Sequence, residues 1–159
     1  MNLFILSLDP VEAANDQCDK HVVKMVTETA QILCTVLQSM GVTHRLLYRQ
    51  THTKHPVVLW VAESRENYNW TIVHGLALAA EYHSRYGRPH KSERVIWLAK
   101  SLGDSLEFKS DSFTTPEACM PGYCKVEGDI VASYRRFYKL EKRRFAKWAY
   151  CKEPDWWLG

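Results

Sequence analysis

Residues 18–31 read Cys-Asp-Lys-His-Val-Val-Lys-Met-Val-Thr-Glu-Thr-Ala-Gln, and they carry a clear helical pattern. Its apolar residues recur at steps of three and four, which is the period of a helix with one buried face. The apolar line comprises Cys18, Val22, Met25, Val26, Thr29, Leu33, Val36, Leu37 and Met40. A second line carries Lys20 or His21, then Lys24, Glu28 and Gln31. The stretch therefore predicts a long amphipathic helix whose polar face is either solvated surface or the wall of a site.

Start and stop signals elsewhere predict further helices and no regular sheet. The predicted helices cover residues 10–40 with a weak point at 15–16, then 56–61, 65–86, 91–102 and 130–148. Residues 1–8 are apolar and suit a short strand or an extended segment, and residues 103–128 form a long loop. We therefore predict an all-α fold, in which residues 1–159 form a single compact multi-helix domain with a short N-terminal strand or extended segment.

Composition is that of a soluble globular protein. Hydrophobic residues make up 46% of the 159 residues and charged residues 25%, and no apolar run approaches the ~18 residues that span a bilayer. The N-terminus lacks the pattern of a signal peptide. We therefore expect a cytoplasmic protein with no membrane partner.

Metal and cofactor motifs are weak in this chain. Cys18 and His21, with Cys119 and Cys124, could supply four zinc ligands, but neither spacing matches a tight zinc knuckle, and Cys18 lies on the apolar line. Five cysteines are an odd number, so a disulfide framework is not expected. No Walker loop, GxGxxG, nucleophile elbow or HExxH is present. We expect no cofactor and no metal, with the zinc alternative left open.

Positive charge is concentrated near the C-terminus. The net charge is +3, and residues 132–152 contain eight Lys or Arg and one acid. Basic side chains interleaved with aromatic rings suit a phosphate backbone and unstacked bases. The predicted nucleic-acid-binding residues are Tyr134, Arg135, Arg136, Lys139 and Lys142. The alternative is a helix face that only confers solubility.

The polar line of the early helix is the best candidate for catalysis. His21, Lys24 and Glu28 follow one another at spacings of three and four, with Lys20 one turn from Lys24 and Asp19 beside it. An unprotonated lysine can attack a carbonyl-like carbon such as C1′ of a deoxyribose. Glu28 can act as an acid or base, or can stabilise an oxocarbenium-like cation. Such rows also occur on ordinary solvated helices.

Aromatic, amide and basic side chains of residues 55–90 are the substrate-binding candidates. They are His55, Asn67, Tyr68, Tyr82, Arg85 and His90. An enzyme that handles a nucleobase needs flat rings for stacking and an amide to read a base edge, while cations near a helix end can hold phosphate. Aromatic residues at helical spacing are more often core, so that alternative stays open.

Several motifs along nearly the whole chain resemble a family of small tailed-phage proteins. The motifs are Asp9-Pro10, Cys18-Asp19-Lys20-His21-Val22-Val23-Lys24-Met25 with Glu28, His55-Pro56 with Trp60, Asn67-Tyr68 with Trp70, Glu81-Tyr82 with Arg85-Tyr86-Gly87 and His90, Met120-Pro121, and Ser133-Tyr134-Arg135 with Tyr138 and Phe145-Ala146-Lys147-Trp148. Members are sometimes labelled pyrimidine-dimer DNA glycosylase. That label implies a small, basic, all-α base-excision enzyme with an aromatic C-terminal tail.

The resemblance also implies an amine nucleophile beside a glutamate. In phage pyrimidine-dimer glycosylases the amine is the α-amino group of the mature N-terminus. Asn2 normally prevents removal of Met1, so we expect Lys20 or Lys24 to supply the amine here, with Glu28 as the carboxylate. The leading prediction is a DNA N-glycosylase with possible lyase activity on a modified or damaged pyrimidine.

Two other classes of function remain open from the sequence. The first is a phage transferase that modifies a base of DNA or a nucleotide. The second is a non-catalytic module that binds nucleic acid or a host protein. The oligomeric state, the substrate base and the strandedness do not follow from the sequence.

Overall fold

A computed structural model of the chain describes residues 1–157, and it is built from six α-helices. They are α1 (Pro10–Asn15), α2 (Asp19–Ser39), α3 (Pro56–Glu63), α4 (Arg65–Tyr86), α5 (Glu93–Gly103) and α6 (Ile130–Phe137). A 3-10 turn covers Gly122–Cys124, and a π-helical turn covers Tyr138–Lys142. Within the described part of the chain no sheet forms, and the only strand-like pairing is an isolated bridge between Ser64 and Ser110. The predicted all-α fold is confirmed.

Helix α2 lies at the centre of the fold. It packs against α3, α4 and α5, while α1 packs on α4. Val22, Val26, Leu33 and Leu37 from its apolar line are fully buried. Gly75 of α4 lies where this helix packs closely on α2 and α5. A β-carbon at Gly75 would lie 2.8 Å from Thr29 Cγ2 of α2 and 2.9 Å from Ile96 Cδ1 of α5.

The helix breaks occur where local polar signals predict them. The Asp9 carboxylate accepts hydrogen bonds from the backbone N–H groups of Val11 and Glu12, and so begins α1. The Ser64 hydroxyl oxygen accepts from the N–H of Asn67, which separates α4 from α3. Gly87 ends α4 in the left-handed region, at φ 68°.

The two ends of the described chain pack against the helices. Residues 3–6 are buried and form no strand. The last helix is shorter than predicted, because regular helical structure ends at Lys142 rather than at Trp148. Tertiary hydrogen bonds replace helical ones there: the N–H of Asp19 donates to the carbonyl of Lys147 at 2.9 Å, which satisfies a free donor at the start of α2.

The aromatic tail docks on the body of the protein. Trp148 is buried, and its indole N–H donates to the carbonyl of Asp16 at 3.2 Å. The indole N–H of Trp156 donates to the Asp16 carboxylate at 2.6 Å. Of the helices within residues 1–157, none combines the length and the apolarity needed to cross a bilayer.

Candidate functional site

The polar line of α2 brings Lys24 and Glu28 together. The Nζ atom of Lys24 lies 2.9 Å from Oε1 of Glu28, and the two residues are one helical turn apart. The Lys24 side chain is 66% exposed, whereas the Glu28 side chain is 14% exposed. Glu28 is therefore a partly sheltered carboxylate at the edge of an open surface. Of the predicted catalytic residues, these two form the pair that solvent and a ligand can reach.

The N-terminal segment provides the shelter around Glu28. The α-amino group of Met1 lies 3.9 Å from Oε2 of Glu28, and the backbone N–H of Asn2 donates to the same oxygen at 3.2 Å. The Asn2 side chain is held in turn, because its amide donates to the carbonyl of Cys119 and its oxygen accepts from the hydroxyl of Tyr134. Two primary amines thus flank one carboxylate. The sequence prediction included Lys24 but not the Met1 amine.

His55 lies close enough to Glu28 to be affected by its charge. Burial lowers the pKa of His55, the α-amino group of Met1 and His52 lower it further, and Glu28 opposes them. The Nδ1 atom of His55 accepts a hydrogen bond from the N–H of Val57 at the start of α3. The neutral ring consequently carries its proton on Nε2, which leaves a donor free for a ligand. His55 remains a substrate-binding candidate.

His21 is placed behind the polar surface rather than on it. Its ring stacks on Phe4, with ring centres 4.3 Å apart, and Nδ1 is hydrogen-bonded to the hydroxyl of Tyr138. Burial lowers the pKa of His21 to about 3, and the charges of Lys142 and Lys24 act in the same direction. A neutral, buried imidazole cannot supply a proton to a substrate on the surface near pH 7. Its contacts support a structural role.

Lys20 and Lys142 add positive charge beside the Lys24–Glu28 pair. The Nζ atom of Lys20 lies 5.5 Å from the ring centre of Phe145, and that of Lys142 lies 4.3 Å from the ring centre of Phe137. Burial lowers the pKa of Lys142, Lys24 and Arg144 add to that effect, and Glu141 opposes it. The packed C-terminal segment therefore brings cations to the same face as Lys24.

Asp19 and Arg85, predicted as a catalytic and a substrate-binding residue, are partners in the interior. Oδ1 of Asp19 lies 3.1 Å from Nη1 of Arg85, and Glu81 holds the same guanidinium at 2.7 Å. The remaining N–H groups of Arg85 donate to the carbonyls of Asn15 and Gln17. Because every N–H of Arg85 has a partner, the guanidinium has none left for phosphate.

Asn67 and Tyr68 are in the core, where a nucleobase has no access. The Asn67 amide donates to the carbonyl of Trp60 and to Oγ1 of Thr114, each at 2.8 Å. The Tyr68 hydroxyl donates to the carbonyl of Ala99 at 2.8 Å. Both residues hold loops and helices together, and both side chains are almost fully buried. The structure does not bring them to Glu28 as base readers.

Tyr82 of α4 and His90 in the loop after α4 pack against each other next to α2. The Tyr82 hydroxyl accepts from Nε of the exposed Arg88 at 3.1 Å, and its ring meets His90 edge-on. Nε2 of His90 lies 3.2 Å from the carbonyl of Val23, next to Lys24 in α2. Burial lowers the pKa of His90. His90 therefore links the loop after α4 to the polar face of α2.

The predicted nucleic-acid-binding residues divide into two groups. Tyr134 is buried, with its hydroxyl bonded to Asn2 and Glu117, and Arg135 donates from Nε to the carbonyl of Leu6 at 2.9 Å. These two residues hold the N-terminal segment. Arg136 is exposed, while Lys139 and Lys142 are half-buried. The second group is the part of the prediction that a phosphate backbone can reach.

Neither the metal-ligand types among the described residues nor a comparison with known proteins indicates a function for this chain. Among residues 1–157, no three His, Cys, Asp or Glu side chains are grouped as a metal ion requires, so zinc on Cys18, His21, Cys119 and Cys124 has no support. Comparison with protein-family models, curated proteins and solved structures finds no match for the chain. The function therefore has to follow from the chemistry of the side chains around Glu28.

Proposed function

We propose that the chain is a DNA N-glycosylase that removes a modified or damaged pyrimidine, with Glu28 at the centre of its site. One observation carries the proposal: a partly buried carboxylate has Lys24 Nζ at 2.9 Å and the Met1 α-amino group at 3.9 Å. Cleaving the bond between C1′ and a base creates positive charge on the sugar, which a carboxylate stabilises. An amine beside that carboxylate is placed to attack C1′.

Glu28, one amine and water are sufficient for the bond changes. As the bond between C1′ and the pyrimidine nitrogen breaks, the base leaves with the electron pair. The ammonium group first gives a proton to the Glu28 carboxylate, which passes it to the departing base. The resulting amine donates its electron pair to C1′, and the adduct then loses one N–H proton to Glu28. The C1′–O4′ bond then opens, and O4′ takes the second amine proton, which leaves an imine. Hydrolysis of the imine releases an abasic sugar, and loss of a C2′ proton instead expels the 3′ phosphate, which is lyase activity.

The surroundings of the pair suit a polyanionic substrate. Lys20 and Lys142 pack beside Phe145 and Phe137 near Lys24, and Arg136 is exposed on the last helix. Cations around a partly sheltered carboxylate would hold phosphates on both sides of the sugar. His55, with a free donor on Nε2, would contact the departing base or the opened sugar oxygen.

Borohydride trapping on DNA with an abasic site tests the amine. The imine is reduced to a stable covalent adduct, and mass spectrometry of the digested adduct locates the linked residue. We expect an adduct on Lys24 or on the Met1 amine for the wild type, strongly reduced in Glu28→Gln. Lys24→Ala and an N-acetylated chain would separate the two amines. Lys109→Ala, an exposed lysine among acidic residues, is the matched control.

Binding without catalysis predicts a different result in the same assay. A non-catalytic module would bind DNA, give no adduct, and be indifferent to Glu28→Gln. An adduct that persists at full yield in Glu28→Gln, or that maps to Lys20 only, would contradict the role of the Lys24–Glu28 pair. Glu66→Gln, at an exposed position on α4, controls for the loss of a surface charge.

A further inference from the structure

Trp97 of α5 is a large aromatic side chain that lies outside the hydrophobic core. It is 50% exposed, whereas its neighbours Val95, Ile96 and Ala99 are buried. The helical period of α5 therefore directs Trp97 outward, away from the apolar side that packs on α2 and α4. None of the contacts of the proposed glycosylase site involves this ring, so its exposure needs another explanation.

The Trp97 ring forms one wall of a groove. The groove has a volume of about 590 Å³ and is lined by Pro89, His90, Lys91, Glu93, Arg94 and Trp97. Lys100 lies over the ring, with Nζ 5.1 Å from its centre. Lys91, Arg94 and Lys100 therefore lie in the groove wall or over the ring, together with a single acid, Glu93. A flat π face among lysine and arginine side chains is the combination that binds single-stranded nucleic acid.

One wall of the groove contacts α2. Nε2 of His90, in the wall of the groove, lies 3.2 Å from the carbonyl of Val23. Next to it, Oγ of Ser92 lies 3.1 Å from Oγ1 of Thr27, and Thr27 immediately precedes Glu28. The edge of the groove therefore contacts α2 at Val23, with Ser92 bonded to Thr27, and these positions adjoin Lys24 and Glu28 in the sequence.

We propose that Trp97 is a stacking platform for an unpaired base of the DNA strand, with Lys91 and Arg94 holding the adjoining phosphates. This inference rests on the proposed function and names its substrate class more closely: DNA that is single-stranded or locally unpaired. A base in a duplex is covered on both faces by its neighbours, so only an unstacked base can lie on the ring. Enzymes that act on a base take it, or accept it, out of the stack.

Binding of two DNA probes at fixed salt tests the platform. One probe is a single strand of about 12 deoxythymidines, a length within the usual site size, and the other is a fully paired duplex of the same length. In Trp97→Ala, affinity for the single strand is expected to fall by about 10-fold, the size of one lost stacking contact, with less than a ~2-fold change for the duplex. Trp97→Phe, which keeps a ring, is expected to retain most of the affinity.

A matched control separates stacking from a general loss of apolar surface. Phe113 is a comparable aromatic, 41% exposed, in the loop between α5 and α6, where its ring packs edge-on against Trp60. Phe113→Ala is expected to bind both probes as the wild type does. Photocrosslinking with 5-iododeoxyuridine in the single strand adds a direct readout, and the crosslinked peptide is expected to contain Trp97.

Each outcome supports or overturns the inference. Equal single-strand affinity in the wild type and Trp97→Ala, with the borohydride adduct still formed, would overturn the platform and leave the glycosylase proposal standing. Equal losses of affinity for the single strand and the duplex would also overturn it, since stacking of an unpaired base requires a larger loss for the single strand. A wild-type chain that binds neither probe would overturn both proposals, and affinity for lipid vesicles alone would assign the groove to a membrane surface instead.

Discussion

The carboxylate of Asp19 and the guanidinium of Arg85 lie 3.1 Å apart in the interior, and only 1% of the Arg85 side chain is exposed. The pair ties the first turn of α2 to the last turn of α4. The other carboxylate oxygen of Asp19 accepts from the N–H of Ala149 at 2.8 Å, so the C-terminal segment joins at the same point. One buried ion pair therefore organises three separate parts of the chain.

Replacing Asp19 with alanine is expected to destabilise the fold strongly. Arg85 would keep Glu81 but would lose one of its two carboxylates, and the N–H of Ala149 would lose its acceptor. Breaking a buried pair from one side typically costs about 3–5 kcal/mol, and the remaining Glu81 should place this variant near the lower end. Urea denaturation monitored by tryptophan fluorescence measures the change. Asp155→Ala, which removes the fully exposed pair with Lys152, is expected to leave the midpoint unchanged.

Acid is expected to destabilise the protein through two buried histidines. Burial lowers the pKa of His74 to about 4 and that of His21 to about 3, against an ordinary value of 6.5. Between these values the unfolded chain binds protons that the folded protein excludes, so stability is full above about pH 6.5 and falls as the pH drops toward 4. Each histidine contributes a slope of about 1.4 kcal/mol per pH unit in that window.

Denaturant unfolding at several pH values between 7 and 4.5 checks this dependence. His74→Gln is expected to make the free energy of unfolding less dependent on pH, by the contribution of one histidine, about 1.4 kcal/mol per pH unit. The variant is also expected to be less stable than the wild type at pH 7. His83→Gln, at an exposed position of the same helix, should leave the slope as it is. If the free energy of unfolding of the wild type did not change between pH 7 and 4.5, burial would not be lowering the pKa of either histidine.

Gly75→Ala is expected to destabilise the packing between α2, α4 and α5. The added methyl would lie 2.8 Å from Cγ2 of Thr29 and 2.9 Å from Cδ1 of Ile96, closer than side chains normally approach. Overpacking of this kind costs about 1–3 kcal/mol, which outweighs the gain of about 1 kcal/mol in helix propensity. Thermal unfolding measures the difference. Adding Ile96→Val, which removes the Cδ1 methyl, should recover part of the loss, and purely additive effects would contradict the predicted clash.

Local signals in the sequence were enough to predict most helix boundaries. Asp9, Ser64 and Gly87 act through their own side chains or backbone conformation within one turn, so neighbouring residues decide the outcome. The end of the last helix could not be predicted in this way. It depends on hydrogen bonds between Asp19 and residues 147 and 149, and the bond to Ala149 spans 130 residues of the sequence.

The candidate site shows the same division between local and distant effects. The Lys24–Glu28 pair follows from helical spacing alone and was predicted. The amine of Met1 was not, because its position depends on how residues 1–6 pack across the core. Asn67 offers the same amide to a base edge or to a backbone carbonyl, so its residue type cannot separate the two roles. Trp97 could have been found, since it falls outside the apolar line of its own helix.

Arg135 and Arg136 are adjacent in sequence, and the structure gives them opposite roles. Arg135 donates from Nε to the carbonyl of Leu6 at 2.9 Å and lies over the ring of Trp156, whereas Arg136 is exposed. Arg135→Ala is therefore expected to lower the midpoint of thermal unfolding with the N-terminal segment released. Arg136→Ala is expected to leave stability unchanged and to weaken DNA binding equally for all sequences.

The salt dependence of DNA binding distinguishes these two arginines. If Arg136 contacts a phosphate, the slope of log affinity against log salt should become shallower by about one in Arg136→Ala. Fluorescence anisotropy titrations over a range of salt concentrations measure that slope, with Arg135→Ala compared at a temperature where it is fully folded. An unchanged slope in Arg136→Ala would exclude Arg136 from the phosphate contacts, because losing such a contact removes the release of at least one counterion. A change of the same size in the Lys109→Ala control would also exclude it.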